Sequence, residues 1–231
     1  MRQMGTLLAC AAYAFYAAFI GRLFLHVLLW IRASGQAFAS PAYAVRVRPG
    51  TAAVAVLDLL MFRRLFSQNK LLWIGSWTFH LSFLLVVLSH LRYFLNPVPA
   101  CVTRLQPFGL AAGYLLPLSL ILLLCLRAAA GKSRYVSVYN YFLLSAGLVI
   151  SLSGLSLRIF FRPDLAEIKA FILGMLTFMP DALPQSLVFV AHFGLVLLLL
   201  PFLPLHMIAA PLVTLDARRR EDELRTVMHE K

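Results

Sequence analysis

Five long apolar runs dominate this chain of 231 residues. A helix needs roughly 17 to 25 apolar residues to cross a bilayer, and the runs lie at about 4–31, 71–95, 108–126, 138–160 and 185–212. Only 13% of the residues are charged, whereas soluble domains have about 25%. Lipid offers the backbone no hydrogen-bond partners, so each run is expected to be helical. The sequence therefore predicts an all-α integral membrane protein, a single domain over 1–231 with five transmembrane helices.

The remaining segments are more polar. The stretch at about 52–68 is amphipathic with a basic end, which is typical of a helix lying on a membrane surface or against a partner subunit. A short interfacial helix is predicted at about 165–179, and residues 213–231 form a polar tail. In the last run, Pro201 and Pro204 predict a kink.

The distribution of Lys and Arg predicts the orientation of the helices. With five crossings, fourteen of these residues fall on the side of the carboxyl terminus and six on the other side. Basic residues favour the cytoplasmic side, so we expect the amino terminus outside and the carboxyl terminus inside. The same bias accounts for the net charge of +12 without a nucleic-acid partner.

Small residues recur at helical spacing in two runs. Gly109 and Gly113 are four residues apart, which is typical of close helix packing. Gly147, Ser151 and Gly154 share one face of the fourth run. They either leave room for a flat cofactor or allow close packing of helices.

Four histidines lie inside the apolar runs, where ionisable side chains are costly and indicate a functional site. His80 and His90 are on the second run, and His192 and His206 are on the fifth. These two helices are antiparallel, so the histidines match in depth as two pairs, His90 with His192 and His80 with His206. The pairs would lie about 15 to 21 Å apart along the helices. Facing helices of a bundle commonly hold a cofactor in this way.

Other interpretations of the histidines remain open at this point. They could be buried side chains of a cofactor-free scaffold subunit, or proton relays in a small transporter. The apolar runs contain essentially no Asp or Glu, which disfavours a proton relay. His26 and His229 are interpreted as interfacial or solvated residues. No C-x-x-C-H motif is present, so haem, if bound, is not attached through cysteine.

Four stretches of the chain resemble a known family. They are LDLLMFRRLF, WTFHLSFLLVVLSHLRYFL, SGLSLR followed by DLAEIKAFILGMLTFMPDALP, and AHFGLVLLLLPFLPLHM. The chain resembles the dihaem cytochrome b family typified by the gamma subunit of respiratory nitrate reductase. More closely, it resembles the cytochrome b subunits of sulfate-reducer membrane redox complexes, such as the high-molecular-mass cytochrome c complex. Such families often separate the last two histidines by about five helical turns, and here the separation is about four.

The resemblance implies two b-type haems, each held by one of the histidine pairs. Bis-histidine ligation leaves no open position on iron and suits electron transfer. It also implies an electron-transfer subunit of a menaquinol oxidoreductase complex used in anaerobic respiration, rather than a stand-alone enzyme. Menaquinone would bind near the outer haem, where Arg92 and Arg104 are candidate hydrogen-bond donors, although both equally suit interface anchors.

The partners and location that the resemblance implies follow from this role. An iron–sulfur subunit, similar to that of heterodisulfide reductase or nitrate reductase, would bind at the inner face. Other membrane subunits and a periplasmic cytochrome c are compatible with the same assembly. The expected location is the bacterial inner (cytoplasmic) membrane, in contact with lipid.

Overall fold

Helices make up nearly all of the chain that the computed structural model describes, which is residues 2–38, 49–129, 137–180, 183–209, 211–212, 214, 217–218 and 221. The helices are α1 (Arg2–Phe38), α2 (Pro49–Met61), α3 (Arg63–Gln68), α4 (Lys70–Phe94), α5 (Ala100–Ala129), α6 (Val138–Ser156), α7 (Leu165–Leu176) and α8 (Leu187–Leu199). Most of the predicted polar tail, and the basic residues Arg46, Arg48, Lys132 and Arg134, lie outside the described residues.

Five helices are long and apolar enough to cross a membrane, which confirms the prediction of five helical spans. They are Gln3–Arg32, Lys70–Phe94, Ala100–Ala129, Val138–Phe161 and Leu187–Ala209. The third is longer than the predicted run at 108–126, because the helix begins immediately after the prolines at 97 and 99. Pro107 and Pro117 both lie inside it, as membrane helices can tolerate.

The amphipathic stretch predicted at 52–68 is divided into α2 and α3. Phe62 separates them in a left-handed backbone conformation with φ of 48°, which is uncommon for a residue other than glycine. On α2 the side chains of Val56, Leu57 and Leu60 are more than half exposed. Among the side chains of α2 that the structure describes, the buried one is Asp58, a carboxylate.

Local signals explain where α7 begins and where α8 changes. The Asp164 side chain accepts a hydrogen bond from the backbone N–H of Ala166 at 2.8 Å, which is an N-cap. At the other end of the chain, α8 is followed by one 3₁₀ turn, Leu200–Phe202, before helix resumes up to residue 209. Pro201 has no N–H to continue the α-helical hydrogen bonding, so the irregularity predicted at the prolines takes this form.

The chain divides into two compact units, Met1–Tyr16 with Leu71–Leu199, and Ala17–Lys70 with Leu200–Lys231. The core of the first unit is centred on α5. Its buried members are Leu116, Leu120 and Leu123 of α5 with Leu144 of α6, and residues of α4 pack against them. In this unit α6 also packs against α8.

The second unit contains a cluster of charged residues that joins α2 and α3 to the end of the chain. The Arg218 guanidinium forms an ion pair with Asp58 and another with Glu221 at 2.9 Å. Glu221 also accepts from Arg64 at 2.7 Å. The Asp58 side chain is 1% exposed, so its charge depends on Arg218 for compensation.

At Gly109 the helices α4 and α5 are in close contact. A Cβ built on this glycine would lie 1.6 Å from Ser89 Oγ and 2.6 Å from Ser89 Cβ. The predicted packing role is therefore correct for Gly109. It is wrong for Gly113, because a Cβ there would meet nothing within 4 Å among the described residues.

Aromatic contacts hold α7 against its neighbours within the first unit. Phe171 is fully buried, and its ring lies edge-on to the rings of Phe189 and Phe193 on α8. The Tyr13 hydroxyl of α1 donates to the Met175 carbonyl at 2.6 Å. Consequently α7 contributes a buried face to the unit and contacts α8 at Phe193, next to His192.

Candidate functional site

His192 of α8 is held by a side chain on α6. Its Nδ1 lies 2.8 Å from Ser153 Oγ, and Ser153 Oγ donates to the Ile150 carbonyl at 2.8 Å. A hydroxyl has one hydrogen to give, so Oγ accepts from the imidazole Nδ1–H. This arrangement assigns the proton to Nδ1 and leaves the lone pair of His192 on Nε2.

The two histidines of α4 have the same tautomer as His192, and contacts within their own helix set it. His80 Nδ1 lies 2.7 Å from the Ser76 carbonyl, and His90 Nδ1 lies 2.7 Å from the Val86 carbonyl. A carbonyl oxygen can only accept, so in both rings Nδ1 carries the hydrogen. In all three imidazoles Nε2 is therefore the nitrogen with the electron pair, which is the form in which histidine binds a metal.

Gly154 provides the surface on which the His192 ring lies. A Cβ on this glycine would be 3.0 Å from Cε1, 3.6 Å from Nδ1 and 3.7 Å from Nε2 of His192. By contrast, a Cβ on Gly147 would meet Leu120 at an ordinary 3.7 Å. The small residues of this face thus serve two purposes, helix packing at Gly147 and close approach of an imidazole at Gly154.

His90 of α4 and His192 of α8 both belong to the first unit, as does His80, whereas His206 belongs to the second. His80 and His206 have exposed side chains. Both pairings, His90 with His192 and His80 with His206, stay predictions.

The two candidate quinone-binding arginines differ in their surroundings. Arg92 donates to the Gln106 side chain at 3.1 Å and to the Tyr93 hydroxyl, and its guanidinium lies over the Tyr93 ring. Gln106 in turn donates to the Ser89 carbonyl at 3.2 Å. Arg104 is exposed. Arg92 and Gln106 therefore connect α4 to α5 near His90. Nothing in the sequence indicated this role for Gln106.

The chemistry of these donors fits an axially ligated haem. The ligands would be neutral imidazoles with Nε2 electron pairs on separate helices, and a glycine allows one ring to lie close to the neighbouring helix. Within the described ranges no group of three or more His, Cys, Asp or Glu residues could hold a bare metal ion. The fold and these residues define a multi-pass helical membrane protein with histidines suited to bind a planar cofactor between helices.

Comparison with known proteins gives similarity to cytochrome b-like membrane subunits. The chain is 31% identical over 154 residues to the Hdr-like menaquinol oxidoreductase cytochrome b-like subunit of Archaeoglobus profundus, covering 59% of this chain and 46% of the relative. It is 29% identical over 182 residues to the protein of the same name from Archaeoglobus fulgidus, covering 67% and 55%. The chain thus spans about half the length of the curated relatives it matches.

No protein-family model and no solved structure matches the chain. The similarity confirms the predicted likeness to cytochrome b-like subunits at the level of distant homology. The finer resemblance, to the nitrate reductase gamma subunit or to the sulfate-reducer complexes, stays a prediction.

Proposed function

We propose that this chain is a dihaem b-type cytochrome, the membrane subunit of a menaquinol oxidoreductase complex. The observation that carries the proposal is that His90 and His192, on different apolar helices of the first unit, each have Nδ1 hydrogen-bonded so that Nε2 holds the electron pair. The names of the two archaeal relatives supply the class of complex and its quinol substrate.

Each proposed ligand has a defined task. His90 and His192 would hold the outer haem, and His80 with His206 the inner one. A b-type haem with two imidazole ligands supplies one-electron transfer when bound. The protein orients His80, His90 and His192 by their Nδ1 hydrogen bonds, and such contacts fix the tautomer and ring direction of metal-binding histidines.

The orientation predicted from the basic residues supports the placement of the two partners of electron transfer. Menaquinone would react near the outer haem, within reach of Arg92 or Arg104. Electrons would pass between it and an iron–sulfur subunit at the inner face, where the amphipathic α2 and α3 and most of the Lys and Arg residues would lie. The proposed location is the bacterial cytoplasmic membrane.

The test is haem stoichiometry in the purified protein and in single histidine variants. A reduced-minus-oxidised spectrum with a pyridine haemochrome assay should give two b haems per chain. Replacing His90 or His192 by Ala should remove the same haem, and replacing His80 or His206 should remove the other. His26→Ala is the matched control and should keep both.

Two results would contradict the proposal. A folded wild-type protein without haem would favour the alternative of a cofactor-free scaffold or a proton-relaying transporter. Loss of different haems from the His90 and His192 variants would overturn the pairing while leaving a haem protein.

A further inference from the structure

Ser153 of α6 is a side chain on a neighbouring helix that hydrogen-bonds the candidate ligand His192. Its Oγ is 2.8 Å from His192 Nδ1 and 2.8 Å from the Ile150 carbonyl. Building on the proposed function, we propose that Ser153 is a positioning residue, which holds the tautomer and ring orientation of His192 and thereby adjusts the redox behaviour of the haem that His192 binds.

The direction of the hydrogen bonds depends on where the hydroxyl hydrogen of Ser153 points. Two other serines of α6 show the preference of this helix, since Ser151 donates to the carbonyl three residues earlier at 2.9 Å and Ser156 does the same at 2.7 Å. Ser153 repeats this geometry with Ile150. If Ser153 instead donated to Nδ1, its short contact with the Ile150 carbonyl would contain no hydrogen. The arrangement that satisfies both contacts is donation to Ile150 and acceptance from Nδ1–H.

Gly154, the next residue, leaves space for the His192 ring that Ser153 orients. Gly154 lets the His192 ring approach to a distance at which a Cβ would be 3.0 Å from Cε1. Ser153 and Gly154 are consecutive, so the hydroxyl restrains the Nδ1 edge of the ring while the glycine leaves space beneath it. Rotation of the ring would break the hydrogen bond to Ser153.

A hydrogen-bond acceptor on Nδ1–H strengthens Nε2 as an electron-pair donor. A stronger donor favours the oxidised over the reduced state of a bound haem. Ser153→Ala should weaken that preference by a few-fold to tenfold, a rise in midpoint potential of up to about 59 mV for a one-electron couple. The haem assigned to His80 should not change.

The experiment is a potentiometric titration, followed optically, of the full-length protein in detergent or lipid. Ser153→Ala is compared with wild type and with Ser151→Ala, which removes an equivalent serine-to-carbonyl hydrogen bond on the same helix without a contact to histidine. Ser153→Thr keeps a hydroxyl and should restore the wild-type potential. Haem content and the EPR spectrum of the oxidised protein report whether His192 still binds and whether its ring has rotated.

A positive shift of one haem in Ser153→Ala, with wild-type potentials in Ser151→Ala and Ser153→Thr, supports the proposal. Equal potentials in all four proteins, or equal shifts in Ser153→Ala and Ser151→Ala, overturn it and leave the dihaem function intact. If Ser153→Ala does not assemble, Ser153→Cys takes its place, because sulfur is a weak acceptor. A potential for Ser153→Cys identical to that of Ser153→Thr then refutes the proposal.

Failure of the underlying function has a different signature. If the wild-type protein binds no haem, or His192→Ala keeps both haems at wild-type potentials, then His192 is not a ligand. The proposal for Ser153 falls together with that assignment.

Discussion

Gly109→Ala should loosen the contact between α4 and α5 beside His90. The added Cβ would lie 1.6 Å from Ser89 Oγ and 2.6 Å from Ser89 Cβ. Rotation of the serine moves Oγ away but leaves Cβ in place, so the helix backbones must separate. The separation would fall next to His90 and the hydrogen bond from Gln106 to the Ser89 carbonyl.

The expected magnitude combines two opposing terms. Overpacking of a close contact costs about 1–3 kcal/mol, while replacing glycine by alanine within a helix gains up to about 1 kcal/mol. We therefore expect Gly109→Ala to lower the free energy of unfolding by up to about 2 kcal/mol. Gly113→Ala is the matched control, because its Cβ would meet nothing within 4 Å of the described residues. Only the favourable term applies there.

Substitutions of Ser89 test whether the cost of Gly109→Ala comes from a clash with this side chain. Ser89 Oγ is buried without a hydrogen-bond partner among the described residues, so Ser89→Ala loses no hydrogen bond. Combined with Gly109→Ala it should relieve only part of the clash, and Ser89→Gly should relieve more. The measurement is a reversible SDS titration in mixed micelles, followed by circular dichroism. Two results would show that α4 and α5 do not approach as described. One is that Gly109→Ala is as stable as Gly113→Ala, and the other is that the effects of Gly109→Ala and Ser89→Gly on the free energy of unfolding simply add in the double variant.

Two further predictions concern the charged cluster and the small residues of α6. Arg218→Ala should lower the free energy of unfolding by about 3–5 kcal/mol, because it leaves the buried Asp58 carboxylate without its counterion. Adding Asp58→Asn should recover part of the loss in the same SDS titration, and no recovery would contradict the pairing. Gly154→Ala should displace His192 and reduce or broaden the spectrum of one haem. Gly147→Ala, whose Cβ has ordinary contact distance, should leave both haem spectra unchanged.

Hydropathy predicts the spans well because it reports the environment of the whole helix. It fails locally where polar residues extend a span, as at Arg104 and Gln106 near the start of α5. These residues made the first two turns look like a connection. The helix nevertheless begins at Ala100, directly after the prolines at 97 and 99 that end the preceding connection.

Amphipathicity predicts a helix at 52–68 but not the burial of Asp58 on α2. Leu57 and Leu60 are more than half exposed, which is compatible with the expected membrane or partner surface. Asp58 is buried against Arg218, 160 residues away along the chain. Near a membrane, exposed apolar side chains carry less cost than in water, so burial follows the ion pair. A contact of such sequence separation has no local signal.

Local contacts and contacts between distant parts of the sequence likewise distinguish the proposed ligands His90 and His192. For His90, helix geometry places Nδ1 against the carbonyl four residues earlier, so its tautomer follows from its position on α4 alone. For His192 the corresponding partner is Ser153, on a different helix. The spacing of histidines can predict their depth, but not this partner, because it depends on how α6 rotates against α8. One ligand is thus set by secondary structure and the other by tertiary packing, so substitutions in α6 should tune His192 while leaving His90 unchanged.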